Sequence, residues 1–241
     1  LQVSIIMIPK LIHMTWKTRD VVNDDHPLIE HGLKSLVALN PDWELQLHED
    51  AEVDQYLQES MTYDEYSLIR NAGIVQKSDL WRLYKIHNEG GLYVDIDRIC
   101  NQSITPHIRD GVSWVLPVCI DYDFSHDMML SASGNPVYKL AIRLYLQRLR
   151  EGHTNVYFLG SQTYMHAITM AAFGKIINTN PGVDVFRQIK DSMKQIPFIQ
   201  LVDEQPPYKT FLYDGPPPFD HETMKRDFYG KSNVKHWTGD W

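Results

Sequence analysis

KSDLWRLYKIHNEGGLYVDID, residues 77–97, decides the fold. From Ser78 to Asn88 the apolar positions Leu80, Leu83, Tyr84 and Ile86 recur at helical spacing, which predicts a helix. Ser78 is placed to cap its start. Gly90-Gly91 is placed to stop it, because glycine tolerates the left-handed conformation that a helix end needs. Leu92, Tyr93, Val94 and Ile96 then make an apolar run too short for a helix, which predicts a strand. Asp95 and Asp97 stand two apart, a spacing that puts both carboxylates on one side of that strand. Two such carboxylates repel, and a hard divalent cation (Mn2+ or Mg2+) relieves the conflict through oxygen ligands. Asp79 and Arg82, three apart on the helix, share a face and bring two more charged groups toward the same place. Taken alone, Asp-x-Asp also describes an acidic turn at a solvated strand end.

With 241 residues the chain has enough material for one sizeable core, and a single α/β domain is the economical reading. Its 43% hydrophobic and 22% charged content fits an ordinary soluble globular protein. No apolar run is long enough to cross a bilayer, and the opening LQVSIIMIPK has no secretory pattern. The expected location is the cytoplasm, or the Golgi lumen or a host cell if an anchor or signal has been removed. Cys100 and Cys119 fit neither a disulfide framework nor a zinc site; they read as buried thiols, with a bridge between them left open. A net charge of -8 argues against nucleic acid as the main partner. It also means that a diphosphate would bind poorly unaided, so a metal at Asp97 would supply the missing positive charge.

Outward from the central stretch, strands and helices alternate, the pattern of a three-layer α/β fold. Lys10 to Trp16 reads as the first strand, with His13 as a packed, hydrogen-bonded histidine. His26 to Leu39 reads as an amphipathic helix, Asn40-Pro41-Asp42 as a turn, and Trp43 to His48 as the second strand. Residues 51–74 read as two short helices. After Asp97, residues 98–101 (RICN) continue as strand, and Val112 to Ile120 forms another. Residues 121–127 (DYDFSHD) make an acidic and aromatic loop, and Pro136 to Arg150 a strongly amphipathic helix. A helix beginning near Ser161 would aim backbone N–H groups at an anion. The Pro- and Gly-rich residues 178–233 read as short strands and surface loops.

The stretch SDLWRLYKIHNEGGLYVDID resembles the Ser-Asp-x-x-Arg … Gly-Gly-x-Tyr-x-Asp-x-Asp block of DXD-motif glycosyltransferases. That group includes yeast-type mannosyltransferases, bacterial capsule sugar transferases and the glucosyltransferase domain of large clostridial toxins. IPKLIHMTWK, residues 8–17, is similar to the family's opening Ile-Pro-Lys-x-Ile-His-x-x-Trp, and Gly134-Asn135-Pro136 matches a later turn. VKHWTGDW at the end resembles a closing His-x-x-x-Ser-Trp, with His236 and Trp241 in register and Asp240 in place of serine. The chain departs from the pattern at His48, where tryptophan is usual, and at His126-Asp127, where an asparagine is usual.

The resemblance implies a GT-A fold, a Rossmann-like mixed sheet flanked by helices, as one domain over residues 1–241. Residues 1–101 would be the nucleotide-sugar-binding half. Residues 102–241 would be the acceptor-side half, ending in a tail that binds metal and phosphate. The implied reaction moves a hexose from a UDP- or GDP-linked sugar to a hydroxyl of a glycan, glycoprotein or glycolipid, with retention of configuration. Asp79, Arg82, Asp95 and Asp97 are the expected catalytic residues. Trp16, Asp79, Arg82, Tyr93, Asp95 and Trp241 are expected on the nucleotide sugar, and Asp95, Asp97 and His236 on manganese or magnesium. The residues bear on two rival readings. A dehalogenase-like phosphatase needs Thr or Ser two positions after its second Asp, where this chain has Ile99. A non-catalytic carbohydrate- or nucleotide-sugar-binding protein of the same fold would have little use for Asp79, Arg82, Asp95 and Asp97 together.

Overall fold

Strand direction organises the molecule. The computed structural model describes residues 7–119, 123–177, 182–205 and 208–234. In chain order come β1 (Leu11–Thr15), α1 (Pro27–Ile29), α2 (Ser35–Leu39), β2 (Glu44–His48), α3 (Asp50–Ser60), α4 (Tyr63–Ile69), α5 (Ile74–Asn88) and β3 (Gly91–Val94). There follow β4 (Trp114–Cys119), β5 (Asp123–Phe124), β6 (Met128–Ser131), α6 (Pro136–Arg150), α7 (Val156–Leu159), α8 (Ser161–Phe173), α9 (Val183–Lys194), β7 (Ile199–Asp203) and α10 (His221–Lys231).

β1 runs parallel to β2 and to β3; β3 pairs antiparallel with β6, and β6 antiparallel with β4. β7 is parallel to β4. Hence β1, β2, β3, β4 and β7 all point one way, and β6 is the reversed strand between β3 and β4. The carboxyl ends of β1, β3, β4 and β7 and the amino end of β6 therefore lie along one edge, the usual place for a ligand in an open α/β sheet. The β3–β6 pairing also joins the strands of residues 1–101 and of residues 102–241 into one sheet.

Each face of the sheet carries its own apolar layer. One contains Trp81, Tyr93, Tyr138, Tyr145 and Tyr164; the other contains Ile12, Leu28, Leu33, Leu92 and Phe228. α5 lies inside the first layer, and all nine of its residues from Ser78 to Ile86 are buried. That enclosure draws Asp79 and Arg82 out of water along with the apolar residues beside them. Gly73 rather than Ser78 precedes the helix, so Ser78 falls inside it. The glycine pair after it behaves as its residue type requires, with φ +70 at Gly90 and +96 at Gly91. A Cβ on Gly91 would lie 2.6 Å from the Leu11 carbonyl oxygen, so the turn must be this tight for β3 to lie against β1.

Three regions differ from the sequence reading. Residues 27–39 are helical, but a π turn at Glu30–Lys34 interrupts them. It contains Gly32, where a Cβ would lie 2.6 Å from the Arg98 carbonyl oxygen. Residues 98–101 are not a strand. Their backbone is satisfied by loops, with Cys100 N–H donating to His31 O at 2.7 Å and Asn101 N–H to Leu212 O at 2.9 Å. Residues 178–233, read as strands and loops, hold β7 but also the helices α9 and α10. Phe186, Ile189 and Met193 give α9 its buried stripe at helical spacing, and the Asp220 side chain caps α10 by accepting from Thr223 N–H at 3.3 Å.

Gly91→Ala is expected to destabilise the protein by about 3 kcal/mol or more, since both the positive φ and the Leu11 carbonyl oppose a side chain. Gly230→Ala, in α10 with open space at its Cβ, is expected to add up to about 1 kcal/mol. Urea denaturation of the two variants measures both, and wild-type stability in Gly91→Ala would refute the tight-turn account.

Candidate active site

A cleft of about 740 Å³ opens at the shared edge of the strands. Thr15, Trp16 and Lys17 line it from the end of β1, and Asp95 and Ile96 from the end of β3. Asp79 and Arg82 reach it from α5, and His126 and Asp127 from the approach to β6.

Arg82 is the centre of the inner wall. It is 7% exposed, and its guanidinium lies 3.1 Å from Asp79 and 3.4 Å from Asp95. It also donates to the His126 carbonyl at 3.1 Å and sits 4.4 Å from the centre of the Tyr93 ring. The Tyr93 hydroxyl donates to Asp95. The fork of the guanidinium thus fixes two carboxylates from different elements, which a single-point cation would not do. Gly160 completes the packing, because a Cβ there would meet Asp79 Oδ2 at 2.6 Å. Burial raises the Asp79 carboxyl to about 7, against the pull of Arg82 and with a further push from Asp95. Burial and Arg82 together hold the His126 imidazole well below its ordinary range, so it is neutral.

Asp95 and Asp97 do not share a side. β3 ends at Val94 and the chain turns at once, so the two-residue alternation of a strand no longer applies. Asp95 lines the cleft with 29% of its side chain exposed. Asp97 is 2% exposed and turned inward, where Lys225 Nζ of α10 lies 2.7 Å from Oδ2 and the Tyr229 hydroxyl donates to the same oxygen at 3.2 Å. The His221 ring donates to the Asp97 carbonyl at 2.8 Å. Arg98 Nε stands 3.9 Å from Oδ1, and the Arg98 guanidinium is ion-paired with Asp127. Burial pushes the Asp97 carboxyl up, but Lys225 and Arg98 outweigh it and hold the group well below the usual carboxylate range.

That neighbourhood tests the expected divalent ion. In this arrangement Asp97 does not fit one, since a dication on Oδ2 would meet the Lys225 ammonium already there. Among the described residues no three His, Cys, Asp or Glu side chains converge as a metal-holding group. Asp97 Oδ1 accepts no hydrogen bond among the described residues, but a dication there would still face Lys225 on Oδ2 and Arg98 at 3.9 Å. His236 and Trp241, expected on the metal and the nucleotide sugar, and Asp240 lie outside the described residues.

Trp16 is 9% exposed at the cleft, its ring stacked on Phe228 at 4.8 Å and edge-on to Tyr229 at 5.6 Å. His13 is a packed histidine, with Nε2 2.8 Å from the Gly90 carbonyl. Cys100 and Cys119 form no disulfide, and Cys119 lines the cleft. Sequence reasoning missed Lys225, Phe228 and Tyr229 because it missed the helix that carries them. It also missed Arg98, although an arginine directly after an acidic pair was a visible signal.

Residues 28–114 match a family described as "Glycosyltransferase sugar-binding region containing DXD motif". Inositol phosphoceramide mannosyltransferase 3 of Schizosaccharomyces pombe is 28% identical over 143 residues, which are 56% of this chain and 36% of that protein. Mannosyl phosphorylinositol ceramide synthase SUR1 of Saccharomyces cerevisiae is 25% identical over 142 residues, 57% of this chain and 34% of that protein. The chain thus spans about a third of the length of these curated relatives. Among solved structures, PaToxG Glycosyltransferase superposes with a TM-score of 0.50 at 19% identity, covering 79% of each chain. The shared architecture is the GT-A fold, as the sequence resemblance implied.

The buried Asp79 gives a pH signature. Its folded carboxyl holds a proton up to about 7, whereas the unfolded one releases it near the ordinary aspartate value of 3.8. The folded state therefore binds more protons between these values, and stability contributed by this group falls as pH rises across that window. Wild type is expected to lose stability relative to Asp79→Asn from pH 4 to pH 7, with a constant difference above. Urea midpoints at intervals of pH measure this, and parallel curves would mean that Asp79 ionises as in water.

Proposed function

We propose, from the match of residues 28–114 to a glycosyltransferase sugar-binding region with a DXD motif and from the GT-A fold, that this chain transfers a hexose from a UDP- or GDP-linked sugar to an acceptor hydroxyl, retaining configuration. The observation that carries the reading is Arg82, buried between Asp79 and Asp95 at the cleft wall. Sugar hydroxyls are donors as well as acceptors, and the free lone pairs of two immobilised carboxylates suit them. Because the guanidinium locks both carboxylates before the donor arrives, little reorganisation remains for the reaction.

Trp16, backed by Phe228, offers an aromatic plate for the base, and stacking of that kind contributes about 1–3 kcal/mol. Asp95, held by the Tyr93 hydroxyl and Arg82, is placed for the ribose or the donor sugar. Lys17, Arg82 and Lys209 line the cleft and are the chain's own cations for the charge that develops on the departing diphosphate. No step is assigned to a divalent ion, since Lys225 holds Asp97. The names of the relatives extend the reading: mannose as the hexose and a glycolipid headgroup as the acceptor.

Thermal-shift measurements with UDP- and GDP-hexoses, followed by product analysis, test the proposal. At least one donor is expected to stabilise the protein and yield a glycoside. Arg82→Lys keeps the charge but loses the fork, and its kcat/KM is expected to fall roughly 100-fold. Absence of stabilisation by every donor would end the reading, and stabilisation without product would leave a nucleotide-sugar-binding protein.

Competition at Asp97 has its own readout. Lys225→Met is expected to bind Mn2+ at least tenfold more tightly than wild type, measured by the paramagnetic resonance of free Mn2+. Equal affinities would show that Lys225 does not compete for the site.

A further inference from the structure

The second wall of the cleft carries a carboxylate that nothing described so far uses. Cys119, at the end of β4, pairs with Asp123 of β5. On the other edge Val118 pairs with Asp203 of β7, and the next residue, Glu204, donates its N–H to the Val118 carbonyl at 3.0 Å. Opposed residues of neighbouring strands present their side chains to the same face, so Asp123 and Glu204 flank Cys119, and all three line the cleft.

Glu204 is 3% exposed, and its Oε1 is buried without a hydrogen-bond partner among the described residues. An unsatisfied buried acceptor costs about 1–3 kcal/mol, so native structures hold few and each calls for an explanation. The Ser125 hydroxyl nearby donates to Asp127, so its one hydrogen is already spent. Burial pushes the Glu204 carboxyl up, while Arg98, the Ser125 hydroxyl and Lys209 pull it back. Asp123 accepts from its neighbour's backbone, Phe124 N–H, at 2.8 Å, and burial raises its carboxyl to about 6. Lys209 is held at φ 44, a left-handed conformation that a residue with a side chain adopts rarely and that tends to mark functional positions.

We propose that Asp123 and Glu204 form a subsite for neighbouring hydroxyls of a ring polyol, the acceptor side of the transfer proposed above, on which this inference rests. Arg98 and Lys209 act on Glu204 by charge, yet neither donates to its Oε1, so this atom lacks a donor and not positive charge. A dication would be repelled by the same two cations, and an apolar group would leave Glu204 Oε1 unpaired. Hydroxyl groups supply the donors, and hydrogen bonds to a carboxylate are stronger than neutral ones. Two carboxylates on the strand tips either side of β4 suit two hydroxyls on one ring. A site built on buried polar groups also rejects analogues that lack the matching hydroxyl, because its own groups are then left unpaired.

Ligand-observed saturation-transfer NMR tests this with myo-inositol as the ring polyol and cyclohexanol as the single-hydroxyl control. Wild type is expected to transfer saturation to myo-inositol and not to cyclohexanol. Glu204→Gln and Asp123→Asn are each expected to weaken myo-inositol binding at least tenfold. Both replacements keep side-chain size, and thermal melts establish that the variants fold. Equal myo-inositol binding in wild type and both folded variants would overturn the subsite, as would equal binding of cyclohexanol. Donor-induced thermal shifts are recorded on the same samples. If they appear in wild type while myo-inositol binding ignores both substitutions, the subsite fails and glycosyl transfer stands. If no donor shifts wild type, the transfer reading fails, whatever the polyol does.

Discussion

Everything at the cleft depends on the pairing of buried carboxylates with buried guanidinium and ammonium groups. Charge removed from water must be compensated locally, and an unpartnered ion inside a fold costs several kcal/mol. The protein meets this with Arg82 between Asp79 and Asp95, with Lys225 on Asp97, and with Arg98 on Asp127. Because Arg82–Asp95 and Lys225–Asp97 join different elements, these contacts also fix where α5, α10 and the β3 turn sit relative to one another. The site and the fold are held by the same interactions.

Strand polarity explains why so many charged groups meet at one place. With β1, β3, β4 and β7 running in one direction and β6 reversed, five chain segments open at one edge. Backbone that leaves a strand there is free to turn, as at Asp95-Ile96-Asp97. The buried helix α5 delivers Asp79 and Arg82 to the same edge, its own Trp81 packing edge-on against Tyr93 of β3 with ring centres 6.1 Å apart. Burial that would be unfavourable for a lone ion is favourable for a helix whose apolar face is this large.

Much of this was legible in the residues and some was not. The helix, glycine turn and strand of residues 77–97 announced themselves by period and by residue type, and α5 and β3 follow them closely. The placement of Asp97 was not legible, because a spacing of two fixes a side only while the chain remains extended, and β3 stops at Val94. The helices α9 and α10 were obscured by the prolines around them, although Asp220 with Thr223 was a readable cap. Glu204 could not be singled out from sequence. Its significance comes from burial and from an atom without a donor, and neither exists until β7 is placed beside β4.

The two walls of the cleft differ in kind, and the difference bears on order of events. On the α5 side Arg82 holds both Asp79 and Asp95, and the Tyr93 hydroxyl donates to Asp95, so a donor sugar meets a finished surface. On the β7 side Glu204 keeps an acceptor atom that the chain itself does not satisfy. A finished wall gains little from further ordering, whereas an unfinished one becomes more favourable when hydroxyl donors arrive. Specificity for the acceptor then resides less in shape than in the penalty for leaving that oxygen unpaired, which falls on any molecule that brings no hydroxyl to it.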